Sequence, residues 1–249
     1  MYLQFFGFTY PPFADTPDVS QFWEDHMSRN IFLSLLRGIS EGCTLQIVTA
    51  EPGLGKSMVC RRLLNTLRAH KTRYDVLYKP FPNLGLGMQS GMGFNKDAQA
   101  PHKVILIDEG QLLSTSSLAH LIQMLQRPEQ QRQAVLFAQP ELLELLQSPD
   151  LYGLAEIDTR LHTLNALSET ETARYIRARL IMAGGDDDIV QETVTREIHH
   201  CTRGVPRLIN TVMRKALLHA FEEQSSKIGH QHIVLAKATT AAVAAPSNQ

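Results

Sequence analysis

The segment Ala50-Glu51-Pro52-Gly53-Leu54-Gly55-Lys56-Ser57, followed by Met58, has the glycine spacing of a phosphate-binding loop, with Ala50 where such loops usually begin in glycine. Gly53 and Gly55 let backbone N–H groups turn inward around an anion, and a helix beginning at Lys56 aims the positive end of its dipole at it. In that arrangement Lys56 neutralises the β and γ phosphates of ATP, and the Ser57 hydroxyl ligates Mg²⁺. Ala50 is tolerable there if its backbone stays at negative φ. A glycine-rich turn arising by chance would lack the short apolar run at 44–49 and the helical pattern at 56–70 that flank this one.

A second cluster closes the run Val104-Ile105-Leu106-Ile107-Asp108-Glu109. A strand buried on both faces has no reason to finish in two carboxylates unless that end opens on solvent or a site, and open α/β sheets bind ligands at the carboxyl ends of their strands. Asp108 is expected to hold Mg²⁺ through water, and Glu109 to orient and polarise the attacking water. Alone the pattern also suits a helix cap. Downstream of a phosphate-binding loop it points to hydrolysis, since transfer to a small acceptor needs no water-activating glutamate.

Three more residues complete the candidate set. Gln139 follows a third apolar run, 134–138, and is either a turn residue before Pro140 or a hydrogen-bond donor to γ-phosphate or water. Arg207 falls in the first turn of a helix opened by Pro206, where a cation opposes the helix dipole, so an anionic partner such as ATP phosphate accounts for it. Arg160 is either ion-paired with Asp158 or Glu156, or an arginine finger for the γ-phosphate of a neighbouring subunit. His199, His200, Cys201, His230 and His232 have no zinc-like spacing, and no metal is assigned to them.

The elements needed to hold these residues are legible as alternation. Short apolar runs at 44–49, 74–78, 104–107 and 134–138 separated by helical stretches predict a parallel sheet covered on both faces. A helix over 20–39 with Phe22, Met27, Ile31, Leu33, Leu35 and Leu36 on its apolar side precedes them, after an opening rich in Pro and Phe. Beyond Arg160 the pattern is helical only: Ser168 and Glu171 form a capping box, Gly184-Gly185 stops that helix, and further helices are expected at 186–200, 206–223 and from 231, with a frayed tail at 241–249. The glycine-rich stretch 83–95 is either a partner-contacting loop or an ordinary connection. The expected architecture is an α/β P-loop core with a parallel sheet at 1–165, then a small all-helical lid at 166–249.

Composition excludes several classes. The 249 residues carry 24 basic and 25 acidic side chains, a net charge of −1, so there is no global field for nucleic acid or an acidic membrane. Three cysteines without C-x-x-C spacing read as reduced core thiols, and no apolar run reaches the ~20 residues that cross a bilayer. A cytoplasmic protein is expected, reaching the inner membrane only through a partner.

Taken together these residues resemble a known family. Met1-Tyr2-Leu3-Gln4-Phe5-Phe6-Gly7-Phe8 with Pro12-Phe13 and Thr16-Pro17-Asp18, the phosphate-binding loop, Ile107-Asp108-Glu109, Gln139-Pro140-Glu141-Leu142, Tyr175-Ile176-Arg177-Ala178-Arg179-Leu180 with Ala183-Gly184, and Gly204-Val205-Pro206-Arg207-Leu208-Ile209-Asn210 are similar to the ExeA-type AAA+ ATPases of the general secretion pathway protein A family and its relatives in mannose-sensitive pilus biogenesis. The resemblance spans about residues 1–235. It implies an ATPase that works as a nucleotide-dependent homo-oligomer with a protein partner in an envelope machine, with Gln139 at or near sensor 1, Arg160 at the arginine finger and Arg207 at sensor 2. The segment between Lys79 and Val104 looks shorter than in typical members, and the transmembrane and peptidoglycan-binding regions of the longer secretion proteins are not matched, so direct wall contact is not carried over. Two other readings use the same motifs. One is an ATP-dependent DNA-binding transposition regulator of the MuB or TniB type, which the balanced charge does not favour. The other is a scaffold that binds ATP without hydrolysing it, against which Glu109 speaks.

Overall fold

A computed structural model of the chain describes residues 1–14, 25–80, 102–127 and 132–244, with side chains to residue 238. The stretch 83–95, the helical positions before residue 25 with Phe22, the Thr16-Pro17-Asp18 motif and the tail beyond 244 lie outside the described residues. The chain divides into two compact units, Met1–Asp25 with Ala166–Gln249, and His26–Asn165.

Among the described residues the contiguous unit is built on five parallel strands, β1 (Leu45–Thr49), β2 (Tyr74–Lys79), β3 (His102–Ile107), β4 (Arg132–Ala138) and β5 (Thr159–Thr163), in the order β2-β3-β4-β1-β5. β1, the last four residues of β3 and the last six of β4 are buried on both faces, which is why they read as unbroken apolar runs. One face carries Leu45, Ile47, Ile105, Ile107, Ala134 and Leu136, packed with Leu118, Leu121, Ile122 and Leu125 of the helix Thr115–Leu125. That helix starts because the Ser114 side chain accepts the Ser117 N–H.

On this unit α2 (His26–Glu41) and α3 (Lys56–Ala69) also pack against the strands. Two buried glutamines of the strands serve the last turns of α2. Gln46 Nε2 donates to the Leu35 carbonyl at 3.1 Å and Gln133 Nε2 to that of Ile39 at 2.9 Å, so both buried amides find helix carbonyls as acceptors. The apolar side expected for this helix needs one correction: Ile31, Phe32, Leu35 and Ile39 face inward, whereas Leu33 is 51% exposed because it lies off the i, i+4, i+8 stripe.

The other unit holds α1 (Tyr2–Phe5), α6 (Glu169–Met182), α7 (Glu192–Thr202), α8 (Pro206–Glu222) and α9 (His230–Ala244), while α4 (Thr115–Leu125) and the short α5 (Glu141–Leu145) belong to the α/β unit. Ser168 and Glu171 form the reciprocal capping box of α6. The helix expected over 186–200 is a 3₁₀ turn at Asp187–Ile189 followed by α7.

Two assignments change. Residues 1–25 group with the helical unit and not with the α/β core: Phe6, Phe8 and Phe13 are buried among Tyr175, Ile176, Leu180 and Ala183, Thr9 N–H donates to Ala183 O at 2.7 Å, and Arg179 Nε donates to Pro12 O at 2.7 Å. The ring of Phe8 fills the space a side chain at Gly185 would take. The segment after residue 158 is also not purely helical, since β5 pairs with β1 before the helices begin.

Candidate functional site

The sheet order sets β3, β4 and β1 side by side, and the chain places chemistry just past the carboxyl end of each: Asp108 after β3, Gln139 after β4, and the loop 50–57 after β1. Ala50 N–H donates to Ala138 O at 3.1 Å, tying the loop to the end of β4, and Ala50 is not among the residues at positive φ. Gly53 (φ +90°) and Gly55 (φ +94°) take the left-handed conformation, and Gly55 opens α3 with no side chain capping the helix. A Cβ on Gly55 would meet no heavy atom within 4 Å, so the loop encloses open space and not packed protein. Glu51 and Pro52 are exposed on its rim, Leu54 is buried beneath it, and Ser57 and Met58 are half-buried in the first turn of α3. Lys56 is only 6% exposed.

Across from this loop Asp108 is 6% exposed, and its carboxylate accepts hydrogen bonds from the Ser57 hydroxyl and, at 3.0 Å, from the Glu109 N–H. Burial pushes its pKa above the usual aspartate range, while the bonds from Ser57 and Glu109 N–H and the charge of Lys56 pull it back. A hydroxyl and a carboxylate side by side form an oxygen donor pair of the kind Mg²⁺ takes, next to a cationic, glycine-rich cradle for phosphate, so the residues present fit Mg-ATP. The thiol of Cys60, one helical turn further on, is held well above its ordinary pKa by burial and then by the Asp108 charge, which leaves it without nucleophilic character.

The raised pKa of Asp108 has a sign that can be measured. The folded state holds the proton more tightly than the unfolded chain, so stability falls as pH rises from the unfolded value of about 3.9 to the raised folded one, and the anion remains a cost at pH 7. Asp108→Asn is therefore expected to raise the Tm of the nucleotide-free protein at pH 7.5. It should also abolish the extra Tm gain that Mg²⁺ adds to ATP. Melting curves with and without each ligand read both, and a lower nucleotide-free Tm would show that the carboxylate is needed for folding.

Glu109 has left-handed backbone angles, φ 53° and ψ 43°, and starts a 3₁₀ turn, Gly110–Leu112. Its carboxylate accepts from Gln111 Nε2 at 2.6 Å, and Gln111 Oε1 accepts the Gln139 N–H at 3.0 Å. Gln111 is the residue that sequence reasoning missed; a polar side chain two positions beyond a candidate base was the available signal. Asp108, Glu109 and Gln139 are thus brought into one hydrogen-bonded set, joined to α3 through Ser57.

Among the described residues no hydrogen bond joins either expected arginine to this set. Arg160 is on β5 opposite Gln46, near the amino end of the sheet and away from the loop 50–57. Its guanidinium pairs with Glu41 at 2.8 Å and Asp158 at 3.9 Å, so the ion-pair reading holds, with Glu41 in place of Glu156. Both partners of the shorter contact are more than a third exposed, so solvent screens the pair. Arg207 lies exposed in the first turn of α8, in the helical unit, where no acidic residue accompanies it. His199, His230 and His232 are hydrogen-bonded to Thr172, Glu197 and Glu223 respectively.

Solved structures with the same arrangement are the ORC1 protein of Aeropyrum pernix in complex with DNA (TM-score 0.64, 14% identity, 92% of this chain and 68% of that one) and the RuvB Holliday junction branch migration motor of Thermotoga maritima (TM-score 0.59, 17% identity, 91% and 73%). This is the P-loop AAA+ fold. The Drosophila ORC bound to DNA shares it, with a TM-score of 0.61 at 18% identity over 86% of this chain and 60% of that one. At these identities the likeness concerns the AAA+ fold alone. In sequence the chain is similar to general secretion pathway protein A of Aeromonas hydrophila, 31% identical over 264 residues and 95% of this chain. The AAA+ chain spans about half of that relative's length, 48%. No protein-family model matches it.

Proposed function

We propose that this AAA+ chain binds Mg-ATP, hydrolyses it, and so supports assembly of a bacterial secretion or pilus apparatus. The observation that carries the reading is the pairing of the Ser57 hydroxyl, in the first turn of α3, with the buried Asp108 carboxylate after β3, together with the buried Lys56 and the two left-handed glycines of the loop. Glu51 to Met58 supply the phosphate cradle, Lys56 opposes the phosphate charge, and Ser57 and Asp108 hold Mg²⁺. The metal supplies charge neutralisation on the phosphate oxygens. Glu109 takes the proton of the attacking water, and Gln139 at the end of β4 orients that water or the γ-phosphate. Arg207 serves as an anion-facing cation of the helical unit. Arg160, paired with Glu41 at the surface of this chain, is the arginine finger offered to a neighbouring subunit.

The role in assembly rests on the similarity to general secretion pathway protein A over 95% of the chain. Nucleotide-dependent self-association and a protein partner in the envelope belong to the same proposal. No helix among the described residues is long and apolar enough to cross a membrane, so contact with the inner membrane is assigned to that partner.

The test is a fluorescent-nucleotide titration. Removing the ammonium leaves the phosphates with backbone donors alone, so Lys56→Ala is expected to weaken Mg-ATP binding by about tenfold or more, a loss of about 1.4 kcal/mol. Unchanged affinity would overturn the site. In the bacterium carrying the gene, the same substitution should deplete the assembled apparatus, and wild-type numbers of assembled complexes would remove the assembly role.

A further inference from the structure

We propose that Gln111 is a positioning residue for hydrolysis, a bracket whose amide holds the Glu109 carboxylate at one end and the tip of β4 at the other. The inference rests on the hydrolytic reading above and adds a residue to it. Its orientation is forced by chemistry. A backbone N–H only donates and a carboxylate only accepts, so Oε1 must face Gln139 N–H (3.0 Å) and the NH₂ must face Glu109 Oε2 (2.6 Å). Glutamine alone has both functions at this reach: Glu keeps the acceptor and loses the donor, Met keeps the length and loses both, and Asn is a methylene short.

The bracket has strain to hold. Left-handed backbone is disfavoured in a non-glycine residue and persists only where the surroundings over-determine it. At Glu109 the restraints are its own N–H on Asp108 Oδ1, the 3₁₀ bond from Leu112 N–H to Glu109 O at 3.0 Å, and Gln111 on the carboxylate. Gly110 lies close against β4, where an added Cβ would be 3.4 Å from Phe137 O and from Ala138 Cβ. The turn that carries the base is therefore packed on the same strand end that Gln111 grips. Without the bracket a glutamate side chain has three torsions to explore, and misplacement of a reacting group by about 1 Å can cost on the order of 10²-fold in rate. Gln111 fixes those torsions relative to the residue that begins after β4, so movement of Gln139 is passed to the base.

The experiment uses the full chain, with Gln111→Glu, Gln111→Met and each combined with Glu109→Gln. Expected is a kcat about tenfold or more lower for both single variants, with the Mg-ATP Kd within about threefold of wild type. In the Glu109→Gln background the second substitution should change kcat less than about twofold, because a residue that acts through Glu109 has nothing left to position. A nucleotide-free readout accompanies this. The Gln139 amide resonance should exchange faster with solvent in Gln111→Met and stay protected in Gln111→Glu, which retains the acceptor. Wild-type kcat in both single variants, or losses that multiply in the Glu109→Gln background, would overturn the assignment and leave ATP hydrolysis standing. Absence of turnover in wild-type protein that binds Mg-ATP would overturn hydrolysis and this assignment with it.

Discussion

Glu109→Gln is expected to leave Mg-ATP affinity within about threefold of wild type while lowering turnover on the order of a hundredfold or more, the loss typical of a removed general base. The geometry makes this substitution nearly isosteric. The new amide oxygen still accepts from Gln111 Nε2, the backbone bond to Asp108 is unaffected, and neither Lys56 nor Ser57 is touched, so the phosphate cradle survives. What disappears is basicity. A hundredfold corresponds to about 2.7 kcal/mol of transition-state stabilisation, larger than the ground-state binding loss expected for Lys56→Ala. Single-turnover hydrolysis beside a nucleotide titration separates the two quantities. Because the variant retains ATP, any ATP-dependent self-association should persist for longer than in the wild type, as read by size-exclusion chromatography. Wild-type turnover would reduce Glu109 to the residue that starts a 3₁₀ turn.

Gly204→Ala should be the most damaging small substitution in the helical unit. Gly204 has φ +72° and follows Arg203, itself at φ 52°, at the end of α7. A Cβ there runs into the Leu167 carbonyl oxygen and lies 2.9 Å from its carbonyl carbon, and both are backbone atoms that no rotamer change can move. The same backbones are joined by Leu167 N–H on Gly204 O at 3.0 Å. The left-handed conformation costs an alanine about 1–2 kcal/mol, and forcing backbone apart adds about 1–3 kcal/mol. A sum of about 3 kcal/mol is a large share of typical domain stability and lowers Tm by roughly 6–12 °C. Gly55→Ala is the control. Its φ is +94° but a Cβ meets nothing within 4 Å, so only the conformational part applies. Equal Tm losses in the two variants, measured by circular dichroism without nucleotide, would show that the Leu167 contact is not the cause.

The parts of the fold that could be read from the chain are those whose partners are local. Apolar runs over β1, β3 and β4 with polar or glycine-rich ends give the buried strands, and the loop 50–57 followed by α3 has its geometry written in adjacent glycines. The misses depend on distant residues. β5 is an edge strand in which Thr159, Leu161 and Thr163 are exposed, so nothing in its composition distinguishes it from a polar connector until β1 is beside it. The Arg160–Glu41 pair could not be read from the chain because its two members are far apart in sequence. Gln111 drew no reading from the sequence, because its contact at the site is with an amide 28 positions away, at Gln139. The Phe-rich opening announced burial but not an address; the groove it fills is assembled from residues beyond 166.

That arrangement has a consequence for biosynthesis. The α/β unit is continuous in the chain, so it can close while the ribosome is still making the helices, whereas Phe6, Phe8 and Phe13 emerge before that unit and the helices that bury them after it. Closing a connection of that length carries an entropic cost that only late contacts repay, which slows the helical unit relative to its neighbour. In the interval the nascent chain displays an aromatic segment of the kind that holdase chaperones and wrong partners compete for. Maturation of the helical unit is therefore vulnerable at these three aromatic residues until the helices beyond 166 have been made.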